Sequence, residues 1–181
     1  MNKYGYRGFT MIELLVVMLI IAVVALMAMP QFQKSAESTR ADEAVSTVQI
    51  LGTTNRIYFL DKAQYAVGAL NSCAARGPCN CNPSDPSNNC GNPCTLMWCG
   101  YLAPQDLAQA PYLYYAADGN LNAADPCGLS ASGAPAGRYV ACAKRNLASG
   151  QYAGWGYTVD VNGTIQPWPT TNGPPPVPPP S

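Results

Sequence analysis

The sequence predicts an α+β fold in which one long N-terminal helix packs against a small antiparallel sheet. An uninterrupted apolar run fills 9–29, and an amphipathic pattern continues over 31–65. Short segments with strand-like alternation follow between 112 and 166. A stretch rich in cysteine, proline and asparagine, 66–111, connects the helix to the sheet and is expected to have little regular structure.

The apolar run is long enough to cross a membrane. Its 21 residues, Phe9 to Met29, make a helix of about 32 Å, and they carry one charge, Glu13. Lys3 and Arg7 precede the run and place its N-terminal side in the cytoplasm. We therefore predict a single membrane span over 9–30, with the rest of the chain outside the cytoplasm.

Two simpler interpretations of this run remain open. A secretory signal peptide would have a shorter apolar region followed by a cleavage site of small residues. An ordinary signal anchor would explain the length and the orientation but not Glu13. A carboxylate inside a membrane span is costly, so Glu13 is a candidate functional residue.

The residues around the start of the run resemble a known processing signal. The segment GFTMIE, 8–13, followed by a long aliphatic stretch, resembles the class III signal of type IV prepilins and pseudopilins. The resemblance implies that a prepilin peptidase cuts after Gly8, removes the leader 1–8 and methylates the new N-terminus at Phe9. The glycine itself suits this chemistry because it lets the backbone approach the peptidase closely.

Two further positions match the family pattern. Glu13 matches its glutamate, and Pro30 matches the proline that interrupts the first helix of many members, where a kink is expected. Cleavage would leave an ammonium group on Phe9, which can be buried in a filament only if it is paired. Glu13 could meet the ammonium of its own chain or of a neighbour; the resemblance implies the neighbour. Our hypothesis is that Glu13 sets the axial register of subunits.

The resemblance also implies a fold, partners and a location. It implies the pilin fold, a structural rather than enzymatic role, and assembly with identical or homologous subunits. An inner-membrane assembly platform with a cytoplasmic ATPase would drive assembly. The product would be an extracellular type IV pilus for adhesion, motility or DNA uptake. The alternative is a periplasmic pseudopilus, with the chain acting as a pseudopilin of a type II secretion system.

The segment after Pro30 predicts the second half of the helix. Apolar or small residues recur at the helical period, so one face should cover the sheet. Gly52 is expected to weaken the middle of this helix. The positions of the predicted apolar face are Ala41, Ala44, Val45, Val48, Leu51 and, less regularly, Ile57 and Tyr58.

Eight cysteines and no histidine indicate disulfides and an oxidising compartment. An all-cysteine metal site is the alternative, although no pair of CxxC motifs occurs. Eight cysteines allow many pairings, so the connectivity stays open. Cys127 and Cys142, which bracket the loop before the second strand, form a candidate pair. The disulfide candidates are Cys73, Cys79, Cys81, Cys90, Cys94, Cys99, Cys127 and Cys142.

The C-terminal half predicts about four strands. Two are expected at 112–116 and 138–144, and a hairpin at 154–166 with a type I′ turn at Asn162-Gly163. The proline-rich tail, 167–181, should be extended or disordered.

Little else suggests chemistry. Asp118, Asn120 and Asp125 are weak calcium candidates, but Asp-Gly-Asn is also a common turn. No other cofactor is expected. Acidic and basic residues cancel, so nucleic acid is not an indicated partner. Without a histidine, a nucleophile–base pair or a phosphate loop, the chain is not expected to be an enzyme.

Overall fold

A computed structural model describes two compact units of the chain, Met1–Thr39 and Arg40–Ser181. Helix α1, Met11–Lys62, contributes residues to both. The predicted leader and most of the predicted tail lie outside the described residues. These are 9–73, 77–82, 90–119, 127, 139–146, 152 and 154–167.

Helix α1 continues through Pro30, whose missing N–H removes one helical hydrogen bond without ending the helix. The expected kink stays a prediction. The helix ends at Lys62, three residues before the predicted end at Tyr65. Ala63 adopts a left-handed backbone with φ 53°, and its N–H donates to the Phe59 carbonyl at 2.8 Å. This geometry caps the helix and turns the chain away from it.

The sheet has five strands rather than the predicted four. They are β1 (Gly68–Ala69), β2 (Tyr112–Ala116), β3 (Tyr139–Arg145), β4 (Gly156–Asp160) and β5 (Ile165–Pro167). Every neighbouring pair is antiparallel, and the spatial order follows the chain order. The first strand was missed because two residues, one of them Gly68, carry no alternation to recognise. The last strand takes in Pro167, at the predicted start of the tail.

The second unit buries one face of α1 against one face of this sheet. The predicted face is confirmed except at Ile57, which is 53% exposed while its neighbour Tyr58 is fully buried. On the sheet, Tyr112, Tyr114 and Ala116 of β2 point inward at alternating positions. The shared core also contains Ala41, Ala44, Val45, Val48, Leu51, Val140, Ala141, Ala143, Tyr157 and Val159.

Gly52 lets α1 approach the sheet closely. A Cβ atom at this position would lie 2.8 Å from Val159 Cγ1 and 3.6 Å from Ala141 Cβ. The glycine that the sequence marks as a weak point of the helix is therefore needed for packing.

A buried carboxamide next to Gly52 fixes the helix on the sheet. Asn55 Nδ2 donates to the carbonyls of Ala66, Ala117 and Val140 at 2.9 to 3.2 Å, and its Oδ1 accepts the Ala66 N–H at 3.1 Å. The Val140 carbonyl also accepts the Ala117 N–H, at 3.0 Å, so the Asn55 side chain shares this acceptor with the backbone. One side chain thus satisfies backbone groups from three separate segments.

The predicted hairpin between β4 and β5 is present, but its turn is not type I′. Gly163 has φ 91°, whereas Asn162 does not have a positive φ. The Asp160 carboxylate accepts the N–H groups of Asn162 and Thr164, each at 2.8 Å. This side chain stabilises a three-residue loop, Val161 to Gly163, in which only the glycine is left-handed.

The connecting segment 66–111 has more structure than expected. Besides β1 it contains a four-residue helix, α2 (Thr95–Trp98). Three disulfides hold it together: Cys73–Cys94, Cys79–Cys99 and Cys81–Cys90. A fourth bond joins Cys127 to Cys142, on the sheet face opposite α1. Each closed loop contributes roughly 2–4 kcal/mol by restricting the unfolded chain.

A hydrogen bond to Asp61 connects the end of α1 to this disulfide-bonded segment. The Tyr101 hydroxyl donates to Asp61, and Lys62 Nζ lies 3.0 Å from the same carboxylate. These two partners, Tyr101 first, lower the pKa of Asp61, while burial and the carboxylate raise the pKa of Tyr101. Because the folded pKa of Asp61 is lowered, its contribution to stability is present at neutral pH. That contribution is lost only as the pH falls through this lowered value.

Substituting Gly52 with alanine should destabilise the second unit even though alanine favours helix formation. The added methyl group must displace Val159 or lift α1 from the sheet, which typically costs about 1–3 kcal/mol. Chemical denaturation with disulfides intact measures the effect. Ser46→Ala, at an exposed position of the same helix, is the matched control and should be neutral or slightly stabilising. Equal stabilities of the two variants would contradict the close-packing argument.

Substituting Ala63 with glycine should stabilise the second unit. Ala63 is exposed and has φ 53°, a conformation that costs an L-residue about 1 kcal/mol and glycine almost nothing. Gln64→Gly, one residue further and without a positive φ, should destabilise instead because it only adds freedom to the unfolded chain. Thermal unfolding of both variants checks the sign, and a lower Tm for Ala63→Gly would contradict the strained cap.

Candidate functional site

The N-terminal part of α1 exposes an unusually large apolar surface. All large apolar side chains between residues 9 and 32 are exposed, from 47% at Val23 to 95% at Met11. Among the described residues, α1 is the one helix long and apolar enough to cross a membrane. A signal sequence near the N-terminus would pass the same test, so length alone does not separate the two. Such a surface needs lipid or other protein chains to cover it.

The start of α1 is closed by a capping box. Thr10 is the N-cap residue: its N–H donates to Glu13 Oε2 at 2.9 Å, and the Glu13 N–H donates to Thr10 Oγ1 at 3.3 Å. The Thr10 hydroxyl also donates to Glu13 Oε2, at 2.9 Å. Two backbone N–H groups without helical partners are therefore satisfied reciprocally.

This arrangement explains how a carboxylate is tolerated at the edge of an apolar helix. Glu13 sits in the first turn, where the helix dipole favours negative charge. Its Oε2 takes both hydrogen bonds from Thr10, and Oε1 has no hydrogen-bond partner among the described residues. One carboxylate oxygen thus serves the helix itself, and the other can accept from a further donor.

The predicted site residues are distributed as follows. Phe9 is 80% exposed and lies directly before the N-cap Thr10, whereas Gly8 lies outside the described residues. Glu13 and Thr10 are brought together, and Pro30 lies some four turns further along the same helix. No prediction from the sequence included Thr10, although the pattern Thr-x-x-Glu before an apolar run is the known signature of a capping box.

The calcium candidates are only partly described. Asp118 is half-buried beside β2, whereas Asn120 and Asp125 lie outside the described residues. Within the described ranges, no three acidic, cysteine or histidine side chains are grouped as metal ligands. The calcium site therefore stays a prediction from the sequence.

Removing the hydroxyl of Thr10 should fray the first turn of α1. In Thr10→Val the Glu13 N–H loses its acceptor, and the amides of Ile12 and Glu13 should exchange about fivefold faster in detergent micelles. Thr10→Ser keeps the hydroxyl and is the matched control. Hydrogen exchange followed by NMR measures both variants, and equal protection in Thr10→Val would show that the box does not hold the turn.

Comparison with known proteins adds one finding at this site. A family described as "Prokaryotic N-terminal methylation motif" matches residues 4–29, a region that includes Phe9, Thr10 and Glu13. No curated protein and no solved structure matches the chain. The motif lies on the exposed apolar helix, and the rest of that helix packs on a small antiparallel sheet in a disulfide-bonded domain. The motif therefore supports a type IV pilin-like prepilin, and the long helix, the sheet and the disulfides are compatible with it.

Proposed function

We propose that this chain is a structural subunit of a type IV pilus. Prepilin peptidase cuts it between Gly8 and Phe9 and methylates Phe9, and the mature subunit is assembled into a helical filament for adhesion, motility or DNA uptake. The observation that carries the proposal is the methylation motif at the start of α1, where every large apolar side chain up to Phe32 is exposed. An enzyme role has no support in the arrangement of the described residues, and the chemistry is performed on the chain by the peptidase.

The exposed helix supports a change of environment without a large change in free energy. Before assembly, lipid covers the leucine, isoleucine, valine and methionine side chains of 9–30. In a filament, the same side chains pack against other subunits. Both surroundings are apolar, so the transfer between them lacks the cost of exposing this surface to water. An assembly platform with a cytoplasmic ATPase would supply the work of extraction.

The Glu13 geometry supports a role in subunit register. Cleavage converts the Phe9 amide nitrogen, one residue before the N-cap, into a charged ammonium. In a filament this charge is buried and requires an acceptor of opposite sign. Glu13 Oε1 is available for it, while Oε2 remains with Thr10. A neighbour placed at the wrong height would leave both charges unpaired, which penalises a wrong register.

The second unit supports assembly through the same helix. Its exposed large apolar side chains, as far as the described residues go, all lie on α1: Ile50, Ile57, Phe59 and Leu60 are 37–83% exposed. Ile50, Ile57 and Leu60 are spaced by seven and three residues, so they form one stripe along the helix. The described residues of the sheet and of the disulfide-bonded segment show no such stripe. The helix therefore offers apolar contacts to neighbouring subunits in this unit as well.

The alternative function is that of a pseudopilin in a type II secretion system, with a periplasmic filament. The processing motif and the helix are equally compatible with it. The disulfide-bonded insertion between Cys73 and Cys99 favours a role at the pilus surface, although its three disulfides would form in the periplasm as well. In both cases the N-terminus faces the cytoplasm before assembly and the disulfide-bonded domain lies outside.

Two substitutions of Glu13 separate its charge from its capping role. Glu13→Gln keeps an oxygen for the capping box but removes the charge, whereas Glu13→Ala removes both. We expect both variants to be inserted, cleaved and oxidised normally, and to yield at least about tenfold fewer filaments, since the Phe9 ammonium has lost its counter-charge. Filaments are sheared from cells and quantified by electron microscopy and immunoblotting.

Mass spectrometry of the same material tests the proposal as a whole. The wild-type subunit should begin at N-methylated Phe9 and contain four disulfides. Intact subunits that still begin at Met1 and remain in the membrane would overturn the pilin function. Normal filaments from Glu13→Gln would overturn the charge-pairing role alone and leave capping as the function of the glutamate. If wild-type cells carry no surface filaments containing this chain, and cells that lack the chain are defective in protein secretion, the pseudopilin function would be favoured.

A further inference from the structure

The disulfide between Cys79 and Cys99 differs from the other three in its accessibility. All eight cysteines are described, and Cys79 is the one that is exposed. Cys90, Cys127 and Cys142 are at most 3% exposed, and the remaining four are half-buried. Thiol–disulfide exchange requires the attacking thiolate to reach a sulfur along the S–S axis, so access strongly influences which bond reacts.

The same disulfide holds a short segment against an aromatic ring. Gly77 lies so close to Trp98 that a Cβ atom would be 2.3 to 2.7 Å from the indole atoms Cε2, Cδ2 and Cζ2. Trp98 is the last residue of α2, and Cys99 follows it directly. The bond from Cys79 to Cys99 therefore clamps 77–79 across the indole, which is itself half-buried against the core.

The neighbouring disulfides anchor both ends of this segment independently. On one side, Cys81 is bonded to the fully buried Cys90, and the Tyr58 hydroxyl donates to the Cys90 carbonyl at 2.9 Å. On the other side, Cys73 is bonded to Cys94. Opening Cys79–Cys99 would release 77–80 and would leave the contacts of Tyr58 in place.

We propose that Cys79–Cys99 is a site of thiol–disulfide exchange with a dithiol outside the cytoplasm, and that the bond works as a releasable clasp over Trp98. The partner class is a dithiol oxidoreductase or a small-molecule dithiol. The reduced form keeps three disulfides and exposes the indole face that Gly77 covers. This inference does not depend on the filament type, because it concerns the disulfide-bonded domain alone.

The exchange balances as two thiol–disulfide steps. A thiolate of the dithiol attacks Cys79 Sγ, the Cys79–Cys99 bond breaks, and Cys99 leaves as a thiolate. The second thiol of the reagent then attacks the mixed disulfide and releases Cys79. The protein gains two electrons and two protons, and the dithiol is oxidised to its disulfide. The reverse sequence closes the clasp.

The test uses the full-length protein in detergent under non-denaturing conditions. Samples are treated with graded concentrations of dithiothreitol, quenched with N-ethylmaleimide and mapped by peptide mass spectrometry. We expect Cys79 and Cys99 to be alkylated together at dithiothreitol concentrations about tenfold or more below those needed for any other cysteine. Tryptophan emission should shift to longer wavelength in step with this labelling, and the shift should be absent in Trp98→Phe.

One double variant and two single variants test the link between this disulfide and Trp98. Cys79→Ser combined with Cys99→Ser should fold with three disulfides and emit like the selectively reduced wild type. Gly77→Ala should speed reduction of Cys79–Cys99 several-fold, because the added methyl pushes the segment off the indole. Gly91→Ala is its control: a Cβ there would meet only the flexible Gln64 amide, at 3.2 Å, so its reduction rate should equal that of the wild type.

The contrary outcomes are equally definite. Labelling of any of the other six cysteines at the same dithiothreitol concentration would overturn the selectivity of the site. Selective labelling of Cys79 and Cys99 without any change in Trp98 emission would overturn the clasp, as would equal reduction rates for Gly77→Ala and Gly91→Ala.

Discussion

The apolar side chains of residues 9–32 impose the main constraint on this molecule, because they require a non-aqueous environment. Every large one among them is at least 47% exposed. At roughly 25 cal/mol per Å² of apolar surface, a helix of this length could not remain in water as a separate chain. The proposed membrane before assembly and the proposed polymer after it would both satisfy the constraint. The domain that follows must then be stable on its own, outside the membrane.

That domain achieves its stability with a small apolar core and many covalent links. Its helix contributes mainly alanine and valine to the core, which allows close approach to the sheet but buries little surface per residue. Gly52 brings α1 against Val159, and Asn55 then satisfies backbone groups that this close approach buries. Disulfides secure the connecting segment, which also contributes Leu70, Leu96, Met97, Leu102 and Leu107 to the same core, more apolar burial than its composition predicts.

The sequence predicts those features that repeat along the chain. The apolar run and the amphipathic pattern of α1 extend over many residues, and both appear in the structure. Alternation predicts β2, β3 and β4 for the same reason. Ile57 shows the limit: its spacing fits the buried face only loosely, and it is Tyr58 that enters the core. Periodicity averages over a face and cannot resolve one position at its margin.

Features that depend on a single contact could not be predicted in this way. The turn after β4 was read from Asn162-Gly163, yet the Asp160 side chain determines its conformation. The end of α1 depends on Ala63 adopting a backbone that favours glycine. Disulfide pairing depends on the folded positions of eight cysteines, which no spacing rule supplies. Thr10 is different, because its capping pattern with Glu13 was present in the sequence and was overlooked.

The capping box also changes how Glu13 should be understood. If its carboxylate served only to meet an ammonium in a filament, it would be a burden in the membrane, where that partner is absent. Because Oε2 is held by the N–H and the hydroxyl of Thr10, the same carboxylate already completes the first turn of α1 in the unassembled chain. In the proposed filament, the ammonium of a neighbour would then need only the second oxygen. One oxygen of Glu13 is hydrogen-bonded before polymerisation, so the carboxylate does not destabilise the precursor. The other oxygen would gain its partner only in a correctly staggered filament, so the same residue could select register.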